Sequence, residues 1–165
     1  MNQTPQSRQE WDEFRALESK RHKEFFLQQY PNMGMKVVED IFDDTKTNDY
    51  DVIVEIEGKR YSIDEKARNQ DYGDLLVEVM QCLRSGKIGW LYKHIDYIFY
   101  ASWKDANLTD PSSAYIVKMP NLRDFVIENY EELPEVFSSK GYGLTFNKRV
   151  NWQDLVFHRI ATKVI

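Results

Sequence analysis

The spacing of apolar residues changes period several times along the chain, and each change predicts an element. From about Gln9 to Gln29 the residues Trp11, Phe14, Phe25 and Gln29 fall on one side of a helical wheel. Pro31 closes the run, so the spacing predicts a helix. Met35 to Phe42 reads as a first strand and Asp43 to Asn48 as a polar turn. Between Asp51 and Lys66 the period drops to two. The runs DVIVEIE and RYSIDEK, broken at Gly58-Lys59, predict a β-hairpin. Asp71 to Arg84 reads as a second helix, with Leu75, Leu76, Val79, Met80 and Leu83 as its buried stripe and Ser85-Gly86 as its stop. Tyr97 to Ala101 and Tyr115 to Lys118 read as strands, and Asn121, after Pro120, caps a third helix running to Tyr130. The tail from Gly141 to Ile165 holds a strand at Gly143 to Phe146 and an amphipathic segment of undecided type. Helix, strand, hairpin, helix, strand and further elements predict an α/β protein with a mixed central sheet.

The hairpin brings candidate chemistry to one place. With Gly58 and Lys59 as the turn pair, Asp51 stands opposite Lys66 and Ile53 opposite Asp64. Opposed residues share a sheet face, so Asp51, Asp64 and Lys66 lie on one side. Val52, Val54, Ile56, Tyr61 and Ile63 lie on the other, as a core surface. This parity is conditional on a two-residue turn. Two carboxylates and an ammonium on one face suit phosphodiester hydrolysis with Mg²⁺, which takes oxygen ligands, keeps several waters and polarises the phosphate. The ammonium orients the attacking water or stabilises developing charge. The alternative is an exposed ion pair of little energetic weight. Asp49, two residues before Asp51 and of the same parity, is an alternative first acid. On the first helix, Glu18 lies near the middle of the apolar side, where a carboxylate is costly unless paired or coordinated. It is either a third metal ligand or the partner of His22, Arg15 or Arg21.

Charge tempers this picture. The 165 residues carry 22 Lys and Arg against 27 Asp and Glu, a net charge of −5. Nucleic-acid binders usually carry a basic surplus, although a bound metal ion inverts the local charge of a carboxylate site. The balance predicts a weak or partner-assisted contact with nucleic acid. The single cysteine, Cys82, excludes a disulfide framework and a four-cysteine zinc site. His22, His94 and His158 show no zinc spacing, and there is no phosphate-binding glycine loop or nucleophile elbow. The polar start MNQTPQSRQEWDEF is unlike a signal peptide, and no apolar run is long enough for a membrane span. These features predict a cytoplasmic single domain over 1–165, with a core at about 9–118 and C-terminal additions at 119–165.

The ordered set of a helix with Glu18, a strand beginning near Asp51, Asp64-Glu65-Lys66 on the next strand, and then helix and strand resembles the PD-(D/E)XK nuclease superfamily. The longer stretch YSIDEKARNQDYGDLLVEVMQ followed by GKIGWLYKHIDYIFYASW is similar to small phage and bacterial members of it, with Glu78 and Gly89-Trp90 at the matching places. The likeness runs from about Trp11 to Trp103. It departs from the family pattern at Tyr50, where a proline would stand. The resemblance implies a restriction-endonuclease-like core, in the order α-β-β-β-α-β, and a Mg²⁺- or Mn²⁺-dependent deoxyribonuclease. It makes Asp51 the first acid, Asp64 the acid of the (D/E)XK element, Lys66 its lysine, Glu65 a ligand through its carbonyl, and Glu18 the helix acid. Substrate contacts are expected from Arg68, Glu78, Lys87 and Lys93. Trp90 and Tyr92 are divided between stacking on bases and packing in the core. The expected partner is nucleic acid, DNA before RNA, with a homodimer or a larger processing complex by analogy. Two other classes compete. One is a non-catalytic member of the fold that binds nucleic acid or protein. The other is an acidic DNA mimic, which predicts carboxylates spread over a broad face.

Overall fold

In the computed structural model, Ser7 opens α1 (Arg8–Gln29) with a reciprocal cap. Its hydroxyl accepts the Glu10 N–H at 3.1 Å, while the Glu10 carboxylate accepts the Ser7 N–H at 3.0 Å. The structure describes residues 7–41, 49–105, 108–141 and 143–165, with the side chains of Trp11 and Lys140 left out; the turn expected at 43–48 lies outside the described residues. Among the described side chains, the buried residues of α1 lie in its second half. Phe25, Phe26 and Tyr30 are buried, whereas Leu17 is 68% exposed.

β1 (Lys36–Asp40), β2 (Val52–Ile56) and β3 (Lys59–Arg68) follow as an antiparallel meander. The hairpin turn is Glu57-Gly58, not Gly58-Lys59, with φ values of 50° and 78°. A two-residue turn whose twist matches its strands needs positive φ at both positions, and glycine supplies the second at no steric cost. Ile53 therefore pairs with Ser62 where Asp64 was expected. The displacement is two residues, an even number, so the expected division of faces survives.

The chain then departs from the predicted order. Asp71 to Arg84 does not form a helix; it contains β4 (Asp74–Cys82). The segment carries two overlapping periods, and the shorter one prevails. Leu75, Val77 and Val79 are buried at spacing two, while Leu83, counted in the helical stripe, is 41% exposed. The branched Val77 and Val79 suit a pleated surface, and β9 supplies the pairing partner. Ser85-Gly86 belongs to the turn into β5 (Lys87–Ile88).

β6 (Tyr97–Ser102), β7 (Ser113–Lys118), α2 (Met119–Glu128), β8 (Glu135–Lys140), β9 (Gly143–Asn151), α3 (Trp152–Phe157) and β10 (Ala161–Lys163) complete the chain. α2 begins three residues earlier than predicted, with Lys118 as its cap in place of Asn121 and Pro120 in its first turn, where a missing N–H costs nothing. The tail is woven into both sheets. A six-stranded sheet has the order β1-β2-β3-β6-β7-β10, parallel at β3–β6 and antiparallel elsewhere; an antiparallel four-stranded sheet has the order β5-β4-β9-β8. The architecture is mixed α/β, with a multi-strand mixed sheet and few helices. Among the described residues no helix is long and apolar enough to cross a membrane.

Candidate functional site

β3 separates two chemistries. On one face Ile63 joins Phe99 and Ala101 of β6 against Phe25 and Phe26 of α1 and Tyr30 at its C-cap. On the other, Asp64 pairs with Ile98 and Lys66 with Tyr100, both members of the core shared with β4, β9 and α2. Asp64, Lys66 and Arg68 thus turn toward the four-stranded sheet, away from α1.

Asp51 and Asp64 are brought together. The Asp51 N–H donates to the Ile63 carbonyl at 2.8 Å, and the Asp51 carboxylate accepts the Glu65 N–H at 2.7 Å, so Asp51 brackets Asp64 from both sides. Both acids are buried, at 8% and 4% exposure. The Lys66 ammonium lies 2.6 Å from Asp64 Oδ2, and Lys93 Nζ approaches the same oxygen at 3.5 Å. Lys93 also donates to the Asp49 carbonyl at 3.3 Å. Asp49 itself is exposed, and Asp51 is the acid that stands beside Asp64.

Lys66 forms part of the wall of a cleft of about 920 Å³ between the sheets. Arg68, Glu78, Lys87 and Lys93, the expected substrate contacts, all line it, and so does His94. On an acidic chain this is a local concentration of cations. Ser138, Thr145 and Asn147 form its far wall; no expectation pointed to them, although the alternation from Leu144 to Val150 was the available signal. Arg68 is not a free cation. Its guanidinium is held by Asp74 at 2.7 Å, and Asp74 is held in turn by Arg149 at 3.1 Å. Trp90 is buried in the core, while Tyr92 is at the cleft and 37% exposed. Beneath Arg68, burial pushes the Tyr100 hydroxyl up to about 12, against the pull of the guanidinium.

One expected ligand, Glu18, is elsewhere, and the side chain of Glu65, expected to act through its carbonyl, turns away from Asp64. Glu18 sits on α1, on the opposite side of the six-stranded sheet, and its carboxylate accepts a hydrogen bond from Asn69. The predicted apolar stripe misplaced it, because the first half of α1 extends beyond the core. Its neighbour His22 packs on Trp103 with ring centroids 4.2 Å apart. Glu65, of odd parity on β3, points to the α1 side as well. There it accepts hydrogen bonds from Lys23 and Tyr30, each at 2.8 Å, and Lys23 also pairs with Asp40 at 2.7 Å. Burial pushes the Glu65 carboxyl above its ordinary value, although Lys23 and Tyr30 oppose the shift; burial and the Glu65 charge push the Tyr30 hydroxyl up. Lys23 and Tyr30 went unrecognised in the sequence, although they fall with Phe26 at helical spacing on the buried side.

Among the described residues no group of three or more Asp, Glu, His or Cys side chains gathers in a form that could hold a metal ion. Among the described residues the donors at this point are the two carboxylates of Asp51 and Asp64. That is too few for an all-protein cage, but it is the number with which Mg²⁺ is commonly held when waters and substrate phosphates complete the shell. The chain matches no family model, no curated protein and no solved structure.

Proposed function

We propose that the chain is a metal-dependent nuclease that hydrolyses phosphodiester bonds, with DNA as the first substrate to test, on a core of the restriction-endonuclease-like kind. The observation that carries this reading is the bracketed pair Asp51–Asp64, met by Lys66 at 2.6 Å, beside a cation-lined cleft on an acidic chain. The meander β1-β2-β3 with β6 parallel to β3 supports the core, while β4 in place of the second helix is a departure from the order the resemblance implies.

Asp51 and Asp64 are the residues that would hold Mg²⁺ or Mn²⁺; Glu18 and the Glu65 side chain take no part. When bound, the cation supplies a polarised phosphate and a water of lowered pKa. Lys66, drawn from its present partner Asp64, stabilises charge that develops on the phosphate oxygens, a contribution of preorganised electrostatics. Lys87 binds a flanking phosphate, and the fixed Arg68–Asp74 pair sets the cleft's shape.

Titration of Mn²⁺ into the wild type and into Asp64→Asn, followed by cleavage assays on single- and double-stranded DNA and on RNA, tests the reading. Saturable binding lost in the variant, with cleavage reduced about 100-fold or more in Lys66→Met, is the expected result. Wild-type protein that neither binds Mn²⁺ at millimolar concentration nor cleaves any of the substrates would overturn it.

A further inference from the structure

Asp64 is approached by two cations, and the second is presented by a braced arm. The arm runs from Gly89 to Lys93. The Gly89 N–H donates to the Val79 carbonyl at 2.8 Å, and a Cβ on Gly89 would lie 2.1 Å from the Glu78 carbonyl oxygen, so the arm lies flush against β4. Trp90 and Leu91 anchor it in the core. From behind, Arg123 on α2 donates to the Leu91 carbonyl at 2.9 Å and to the Lys93 carbonyl at 2.7 Å. A guanidinium with both arms on main-chain carbonyls fixes the backbone of Lys93 itself.

The side chain so placed is under-used. Lys93 has three donors, yet its two contacts, at 3.3 and 3.5 Å, are long, and the side chain is 31% exposed toward the cleft. Lys66, at 2.6 Å, already neutralises Asp64. Among the described residues, two carboxylates, Asp51 and Asp64, and two ammonium groups, Lys66 and Lys93, balance at this point. A divalent cation on the carboxylates would leave both ammonium groups for an anion.

We propose that Lys93 is a second phosphate-binding residue of this site and that Arg123 is its positioning residue. The inference rests on the nuclease reading and deepens it. Lys66 and Lys93 approach Asp64 from different segments, β3 and the braced arm, and so grip one phosphate group from two directions. Arg123 acts through the main-chain carbonyls of Leu91 and Lys93.

The test uses the intact protein with a fluorescently labelled single-stranded oligonucleotide, in Ca²⁺ so that binding is read apart from activity. Affinity is measured by anisotropy across a range of salt concentrations. Each phosphate contact on a single strand contributes about 0.7 to the slope of log affinity against log salt. Lys93→Gln should lower the slope by about that amount, and Lys93→Arg should restore it. Arg123→Met should weaken binding, and the double variant should bind no worse than Lys93→Gln alone. Thermal melts establish that each variant is folded, and Lys93→Gln carries the test if Arg123→Met is not. An unchanged slope in Lys93→Gln, with a lowered slope in Lys66→Gln, would overturn the proposal and leave the nuclease reading standing. Wild type that binds no oligonucleotide in Ca²⁺ would overturn the proposal, and if it also binds no Mn²⁺ the nuclease reading falls with it.

Discussion

The carboxylate of Asp51 accepts the main-chain N–H of Glu65 at 2.7 Å, fastening the residue before β2 to the middle of β3. The bond needs an acceptor and not a charge. Asp51→Asn is therefore expected to stay within about 1 kcal/mol of wild type, whereas Asp51→Ala leaves a part-buried N–H without its acceptor and costs about 1–3 kcal/mol. Urea unfolding separates the two. Under the nuclease reading both variants lose Mn²⁺ binding, so a stable Asp51→Asn that still binds the metal would count against Asp51 as a ligand.

Glu65 predicts a pH effect on stability of definite sign. Burial raises its carboxyl above the ordinary value, so in the window between the two the folded protein holds a proton that the unfolded chain has released. Stability contributed by this group therefore falls as pH rises through that window. Glu65→Gln keeps an acceptor for Tyr30 and should flatten the slope. Urea midpoints measured from pH 4 to 7 would show it.

His22 acts in the opposite direction. Burial against Trp103 lowers its pKa from the ordinary 6.5, outweighing the attraction of Glu18. As pH falls through 6.5 the unfolded chain gains a proton that the folded chain resists, and stability is lost. His22→Phe retains a ring against Trp103 and should remove this dependence between pH 5 and about 7, the range in which an unperturbed histidine titrates. An unchanged profile would mean that the ring is solvated in solution.

Gly89 is required for space and not for backbone angle. Its Cβ would fall 2.1 and 2.5 Å from main-chain atoms of Glu78, which cannot rotate away. Gly89→Ala should cost on the order of 3 kcal/mol, equivalent to a fall in Tm of roughly 6–12 °C for a domain of this size. Because the arm carries Lys93, oligonucleotide affinity should fall even at temperatures where the variant is folded. Calorimetry and anisotropy on one preparation would check both.

Much of the scaffold around β3 is written in local pattern. Alternation along DVIVEIE and RYSIDEK placed Asp51, Asp64 and Lys66 on one face, and the faces survived an error in the turn because the register moved by two residues. A shift of one would have put Asp64 among the apolar residues facing α1, so the result depended on the pleat's period and not on the turn. The end of α1 at Pro31 and the strands at β6 and β7 were legible for a similar reason, since proline and branched residues act on their own backbone.

Glu18 and β4 mark where that reasoning stops. A helical wheel ranks the sides of a helix but says nothing of where along its length the core begins. α1 overhangs the core by half its length, and Glu18 meets Asn69 in place of Asp64. In DLLVEVMQC the helical and strand periods coincide at Leu75 and Val79, and pairing with β9, far along the chain, decides between them.

The sequence by itself determined the local terms: the hairpin, the division of its faces, and the order Asp51, Asp64, Lys66 that gives the site its chemistry. Each follows from steric and hydrogen-bond preferences acting over a few residues. Only the tertiary structure decided which element covers each face of β3, that Lys93 reaches Asp64, and that Arg123 braces it. Those depend on how distant segments share one core, and no local period encodes that.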